Sequence, residues 1–271
     1  MRFSRSGVLL CLLLLNISVS GQQTQQATTP TQDPQAVSVL NQALTVAGGA
    51  PAILAIQDYM GSGSITYPEQ DAQGTVTVLG LRGTEFRMDA NLPAGMRSWA
   101  VDDGVITSKS EAGTIWSMAL KEAVPSSDAF PFQTPLFPAS IAFPDRQLAA
   151  VVGNPSYELT YKGVVQIDGH TVYDIQLRRS SSQSASGSTS VLPPRSKDIF
   201  VDTTSFQVVK VSDTLPKGVQ HELHYSDYRP VVGVLMPFSI TEDVAGQEGW
   251  TVQLSQIIFN TGLQEASFVI Q

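Results

Sequence analysis

The sequence predicts a mainly β domain of the α+β type, built on antiparallel strands with only a few helices, and three observations carry that reading. Apolar and polar residues alternate with a period of two in many stretches: Val76 and Val78 with Thr75 and Thr77, Phe86 and Met88 with Glu85, Arg87 and Asp89, and Tyr157, Leu159 and Tyr161 with Glu158, Thr160 and Lys162. Asp-Gly pairs of the hairpin type separate such stretches at Asp103-Gly104 and Asp168-Gly169. Strand patterns do not alternate with long helical ones, which excludes a parallel nucleotide-binding sheet.

The chain opens with Arg2 and Arg5, an apolar run from Val8 to Leu15, and Ser18-Val19-Ser20, the three-part plan of a secretory signal peptide over residues 1–20. The run is about a dozen residues long, short of the roughly 20 a spanning helix needs, so no membrane span is expected once the signal is cleaved. Residues 21–33 are rich in Gln, Thr and Pro and predict a disordered leader. From residue 34 to 271 the chain reads as a single domain. Asp33-Pro34 supplies a helix start, and Val37, Leu40, Ala43, Leu44 and Ala47 recur at helical spacing up to Gly48-Gly49.

Strand patterns then follow to the end of the chain, ten or more in number, with two interruptions. Ala123 to Pro144 mixes five prolines with Phe130, Phe132, Phe137 and other apolar residues, too irregular for a strand and too apolar for a solvated loop. It is followed by a short helical stretch, Asp145 to Val152. Ser180 to Pro194 is serine-rich and reads as a hairpin tip.

Composition removes several functions. The formal charge of −8 includes Arg2 and Arg5 and falls to −10 without them, which argues against nucleic acid and anionic membrane surfaces as partners. Cys11 is the only cysteine and lies inside the signal, after Leu10 rather than a small residue, so neither a lipidated cysteine nor disulfides nor thiolate chemistry is expected.

Searching for catalytic or metal-binding patterns yields none. Gly61-Ser62-Gly63-Ser64 has neither the G-x-S-x-G order nor a P-loop lysine and reads as a flexible or bulged strand. His221 and His224 are three apart on a strand, which sends them to opposite faces as surface or half-buried residues rather than joint metal ligands. No catalytic residue, cofactor or metal is therefore assigned, and a hydrolase would need a nucleophile and base that cannot be named. An apolar sheet face this large must be covered, and covering it with few helices leaves either a filled core or a ligand cavity.

Tyr225 to Ile240, YSDYRPVVGVLMPFSI, reads as a strand, a turn at Arg229-Pro230 and a second strand. With the helix ending in Gly48-Gly49, the strand through Gly61 to Tyr67, Phe86-Arg87-Met88-Asp89, the Asp168-Gly169 hairpin and Phe259-Asn260, this hairpin resembles the LolA/LolB-like group of exported proteins, which includes outer-membrane lipoprotein-sorting proteins. The resemblance implies a curved, unclosed antiparallel sheet, a half-barrel, with covering helices on its concave face. It implies a ligand cavity lined by some of Phe86, Met88, Trp99, Trp116, Tyr225 and Trp250, a lid containing Phe130, Phe132 and Phe137, and a sheet-to-lid tie through Arg87 or Arg229. The implied function is binding or transfer of an acyl chain or other lipid-like ligand in the cell envelope, with lipoprotein sorting as one form of it. The alternative is an interaction or sensor module of the envelope, with a packed interior and a protein partner.

Overall fold

The computed structural model describes residues 32–102, 105–119, 141–179, 196–214 and 218–271. The expected signal peptide, most of the expected leader, the Asp103-Gly104 turn, the serine-rich tip and the lid residues Phe130, Phe132 and Phe137 lie outside them.

Thirteen strands form one antiparallel sheet: β1 (Asp58–Tyr67), β2 (Ala72–Leu81), β3 (Glu85–Leu92), β4 (Gly95–Asp102), β5 (Val105–Lys109), β6 (Ile115–Ala119), β7 (Tyr157–Ile167), β8 (His170–Arg179), β9 (Ser196–Asp202), β10 (Val208–Thr214), β11 (Gln220–Val231), β12 (Val234–Val244) and β13 (Gln247–Phe259). Their spatial order is β6-β5-β4-β3-β2-β1-β13-β12-β11-β10-β9-β8-β7, so the sheet has two edges, β6 and β7, and is not closed into a barrel. Two meanders, each of sequential neighbours, meet at the β1–β13 pair, where Tyr59 lies opposite Phe259.

Turn chemistry sets the hairpins. Asp168 and Gly169 take φ of 50° and 81°, the left-handed pair of a type I′ turn, and Ile167 faces His170 across it. The turn expected at Arg229-Pro230 is displaced by three residues: Arg229 and Pro230 lie within β11, opposite Met236 and Leu235, and Val232-Gly233 makes the turn with φ of 48° and 83°. Proline is tolerated there because β10 pairs with β11 only from Gln220 to His224, leaving that side of the strand without a neighbour. In the Gly61–Ser64 stretch the β1–β13 register shifts between Ser62 and Gly63, and a Cβ on Gly63 would lie 2.1 Å from the Gln253 carbonyl oxygen.

Three helices cover one end of the concave face. α1 (Pro34–Val46) starts where the Asp33 carboxylate accepts from the Gln35 and Ala36 amides at 2.7 and 3.4 Å, and it buries Ala36, Val39, Leu40, Ala43 and Leu44 along one stripe. Its last turn joins the sheet, with the Leu235 amide donating to the Ala47 carbonyl at 3.0 Å. α2 (Ala50–Ala55), which the sequence reading does not contain, follows immediately and buries Ile53. α3 (Pro144–Val151) buries Leu148 and Val151. Arg146 ties α3 to α2, donating to the Ile53 carbonyl at 3.2 Å and to the Ile56 carbonyl.

Gln32 and Asp33, the last residues of the expected disordered leader, are fastened instead. The Asp33 amide donates to Leu159 of β7, and the Gln32 side-chain amide donates to the carbonyls of Val151, Asn154 and Tyr157 and accepts from the Gly153 amide. A single side chain thus donates to the last carbonyl of α3 and pins the end of that helix to the start of β7.

After β13 the chain crosses to the outer face. The Asp58 carboxylate accepts from the Thr261 amide and hydroxyl and from the Gly262 amide, at 2.7 to 3.0 Å, and Phe268 is buried in a 3₁₀ turn against β3 and β4.

Candidate functional site

At the end of the concave face away from the helices the sheet encloses a cavity of about 630 Å³. Its apolar wall follows from strand alternation. Phe86 and Met88 point inward from β3, Trp99 sits opposite Met88 on β4, and the Trp99 ring meets Phe86 edge-on at 5.2 Å. Trp116 comes from β6 and Trp250 from β13, so all three tryptophans of the chain line one space. Leu223 and Ile141 complete this wall. The indole Nε1 of Trp99 is buried and has no hydrogen-bond acceptor among the described residues.

A polar rim faces the aromatic wall. Arg97, inward on β4 two residues before Trp99, stands over the Tyr67 ring at 4.4 Å, donates to Gln70 Oε1 at 2.6 Å and pairs with Glu111. Burial pushes the Glu111 carboxyl up, but its own backbone amide and Arg97 outweigh that and hold it below its ordinary range.

On the other side His221 of β11 is clamped between two carboxylates, Nδ1 to Asp213 at 2.8 Å and Nε2 to Glu242 at 3.1 Å. Burial works against its positive charge, but the two carboxylates prevail and raise its pKa to about 9, so it is an imidazolium at neutral pH. Lys197 of β9, opposite Asp213, extends the row and is fully buried. Desolvation pulls it down to about 8 against the opposing attraction of Asp213.

Five of the expected lining residues, Phe86, Met88, Trp99, Trp116 and Trp250, are brought together here. Tyr225 is not: it is buried in the packed core, and desolvation drives its hydroxyl far above the ordinary tyrosine range. The two arginines expected as sheet-to-lid ties make the following contacts among the described residues. Arg87 points outward, pairs with Asp89 at 2.8 Å, and donates to the Ser267 and Val269 carbonyls, fastening the C-terminal tail to the outer face. Arg229 pairs with Asp227 and lies over the Phe238 ring at 4.6 Å. His221 and His224 do point to opposite faces, but His221 is buried and ion-paired rather than a surface group.

The polar rim escaped the sequence reading. Arg97 shares the inward face with Trp99, and His221 shares it with Leu223, so alternation held that signal. What brings Asp213 and Glu242 to His221 is the register of neighbouring strands, and Glu111 reaches Arg97 from the β5–β6 turn, neither of which alternation alone gives. Among the described residues no helix is long and apolar enough to cross a membrane.

No protein-family model matches this chain, and no curated protein sequence matches it. Solved structures do. A domain of Vibrio parahaemolyticus described as an outer membrane lipoprotein-sorting protein superimposes with a TM-score of 0.50 at 12% identity, covering 86% of this chain and 95% of that one. A LolA superfamily protein from Nitrosomonas europaea gives 0.48 at 13% identity, covering 84% and 96%. A DUF1329 family protein from Desulfovibrio piger gives 0.42 at 11%, covering 85% and 97%. The unclosed sheet with its few helices is a LolA-like fold.

Proposed function

We propose that this chain is an exported cell-envelope protein that binds or transfers an acyl chain or other lipid-like ligand, with no cofactor and no chemical reaction. The observation that carries the reading is the cavity: about 630 Å³, walled by Phe86, Met88 and all three tryptophans, on the concave face of an unclosed sheet. Its volume lies within the roughly 300–1,000 Å³ usual for small-molecule sites.

Burying a methylene is worth about 0.8 kcal/mol, so a chain of about 16 carbons offers on the order of 13 kcal/mol before ordering costs. Affinity of that kind needs no catalytic group. The one buried histidine of the rim has both ring nitrogens held by carboxylates, which leaves neither available to activate a nucleophile. The LolA-like fold, and the lipoprotein-sorting description of the Vibrio domain that shares it, support an acylated protein as one form the cargo takes.

The test is native mass spectrometry of the protein purified from a bacterial periplasm, with organic extraction of bound material, followed by titration with a brominated fatty acid. Because every tryptophan lines the cavity, quenching of intrinsic fluorescence reports on that space directly. A lipid-sized adduct and saturable quenching are the expected results. An unliganded mass with no quenching would overturn the reading and move the weight to a protein partner.

A further inference from the structure

We propose that Glu222, His224 and Asp243 form a binding site for one divalent transition-metal ion of the zinc class, on the outer face of the sheet and separate from the cavity. Strand geometry assembles it. Glu222 and His224 are two apart on β11 and share its outer face, and Asp243 of β12 sits directly opposite Glu222 in the register.

His224 Nε2 lies 3.4 Å from Glu222 Oε2 and 3.4 Å from Asp243 Oδ2, and one ligand atom from each of the three residues lies within 4.8 Å of the others. That nitrogen is buried, yet it has no hydrogen-bond partner among the described residues. A buried polar atom without a partner is uncommon and asks for an explanation.

The spacing supplies one. An N–H···O hydrogen bond would draw the nitrogen to about 2.7–3.2 Å of one carboxylate. Metal bonds of about 2.0–2.2 Å in a tetrahedral array place neighbouring donors roughly 3.3–3.6 Å apart, the separation His224 keeps from both oxygens. One imidazole with two carboxylates is a nitrogen and oxygen donor set suited to zinc and its neighbours, and the dication would balance the two negative charges. A fourth position is left for water or a donor from another molecule.

An outer layer of contacts holds the set in place. Lys210 of β10, which faces His224 across the ladder, donates to Glu222 Oε1 at 2.9 Å and leaves Oε2 turned toward the histidine. His221, the other histidine of this strand, takes no part, because it faces the cavity with both nitrogens engaged.

The experiment is calorimetric titration of the chelator-treated protein with Zn²⁺, together with the visible absorption of its Co²⁺ adduct, for wild type, His224→Ala and Asp243→Asn. The wild-type protein is expected to take up one equivalent and to give the d–d bands of low-coordinate Co²⁺. Each variant is expected to lose about tenfold or more in affinity. Circular dichroism and tryptophan fluorescence should match wild type, because the three side chains face away from the core. Absence of stoichiometric uptake by the wild-type protein would overturn the proposal, as would unchanged uptake in either variant.

Discussion

The two ends of the concave face are built from the same strands and differ in what lies on them. At one end α1, α2 and α3 fill the space completely: Phe143 meets Tyr59 edge-on at 6.3 Å and stacks on Phe259 at 6.3 Å, and Phe143, Ile53 and Leu40 have no accessible surface. At the other end aromatic side chains of the same inward rows stand around the cavity of about 630 Å³, rimmed among the described residues by Arg97–Glu111 and by the His221 clamp. Among the described residues the two ends therefore differ in where the helices lie, and an inward aromatic residue fills the core at one end and walls a cavity at the other.

Truncating one aromatic at each end tests that contrast most strongly. Phe143→Ala is expected to cost about 3–5 kcal/mol in urea unfolding, whereas Trp116→Ala, which removes a half-buried ring beside an existing void, should cost about 1 kcal/mol. Next in size is Trp99→Glu. It places a carboxylate in the aromatic wall and should weaken acyl-chain binding by about tenfold or more, read by quenching of Trp116 and Trp250, with secondary structure retained.

A third expectation concerns the rim. The pKa of His221 is raised in the folded state, so its contribution is fully present below the unfolded value near 6.5 and is lost as pH rises through about 9. Burial, only partly offset by a hydrogen bond from its own backbone amide, raises Asp145 to about 7, so its own destabilising trend runs mainly below that pH; Lys197 acts in the opposite direction above about 8. Between pH 7 and 8 the wild-type protein should lose about 1 kcal/mol of unfolding free energy, and His221→Gln should lose little. The smallest effect is expected at Arg87, away from both ends. Arg87→Met should cost about 0.5 kcal/mol and speed carboxypeptidase trimming of the tail that this residue fastens.

Strand and hairpin positions were legible because burial on one face imposes a period of two, and Asp168-Gly169 has the conformational freedom its turn demands. The β11–β12 turn was misplaced because Val232 is a poor sequence signal for a left-handed residue, while Pro230, two residues before it, is a strong but misleading one. α2 is too short to display a helical period. Phe86, Met88 and the three tryptophans were legible as cavity residues from alternation together with the family resemblance. Tyr225 was placed with them because alternation gives the face of the sheet but not the distance along it, and that distance separates the packed end from the hollow one.

The β1–β13 pair has a consequence for how the protein is made. Each meander assembles from neighbours in sequence, but within the described sheet the two are paired through a strand from the beginning of the domain and the last strand of all. During synthesis the β1 edge must wait, unpaired and beside an apolar face, until nearly the whole chain has emerged. The slow step of folding is then expected to be closure of this seam, with amides of β2 to β5 protected from hydrogen exchange before those linking β1 to β13. A chain with this strand order leaves its seam open until its last strand is made.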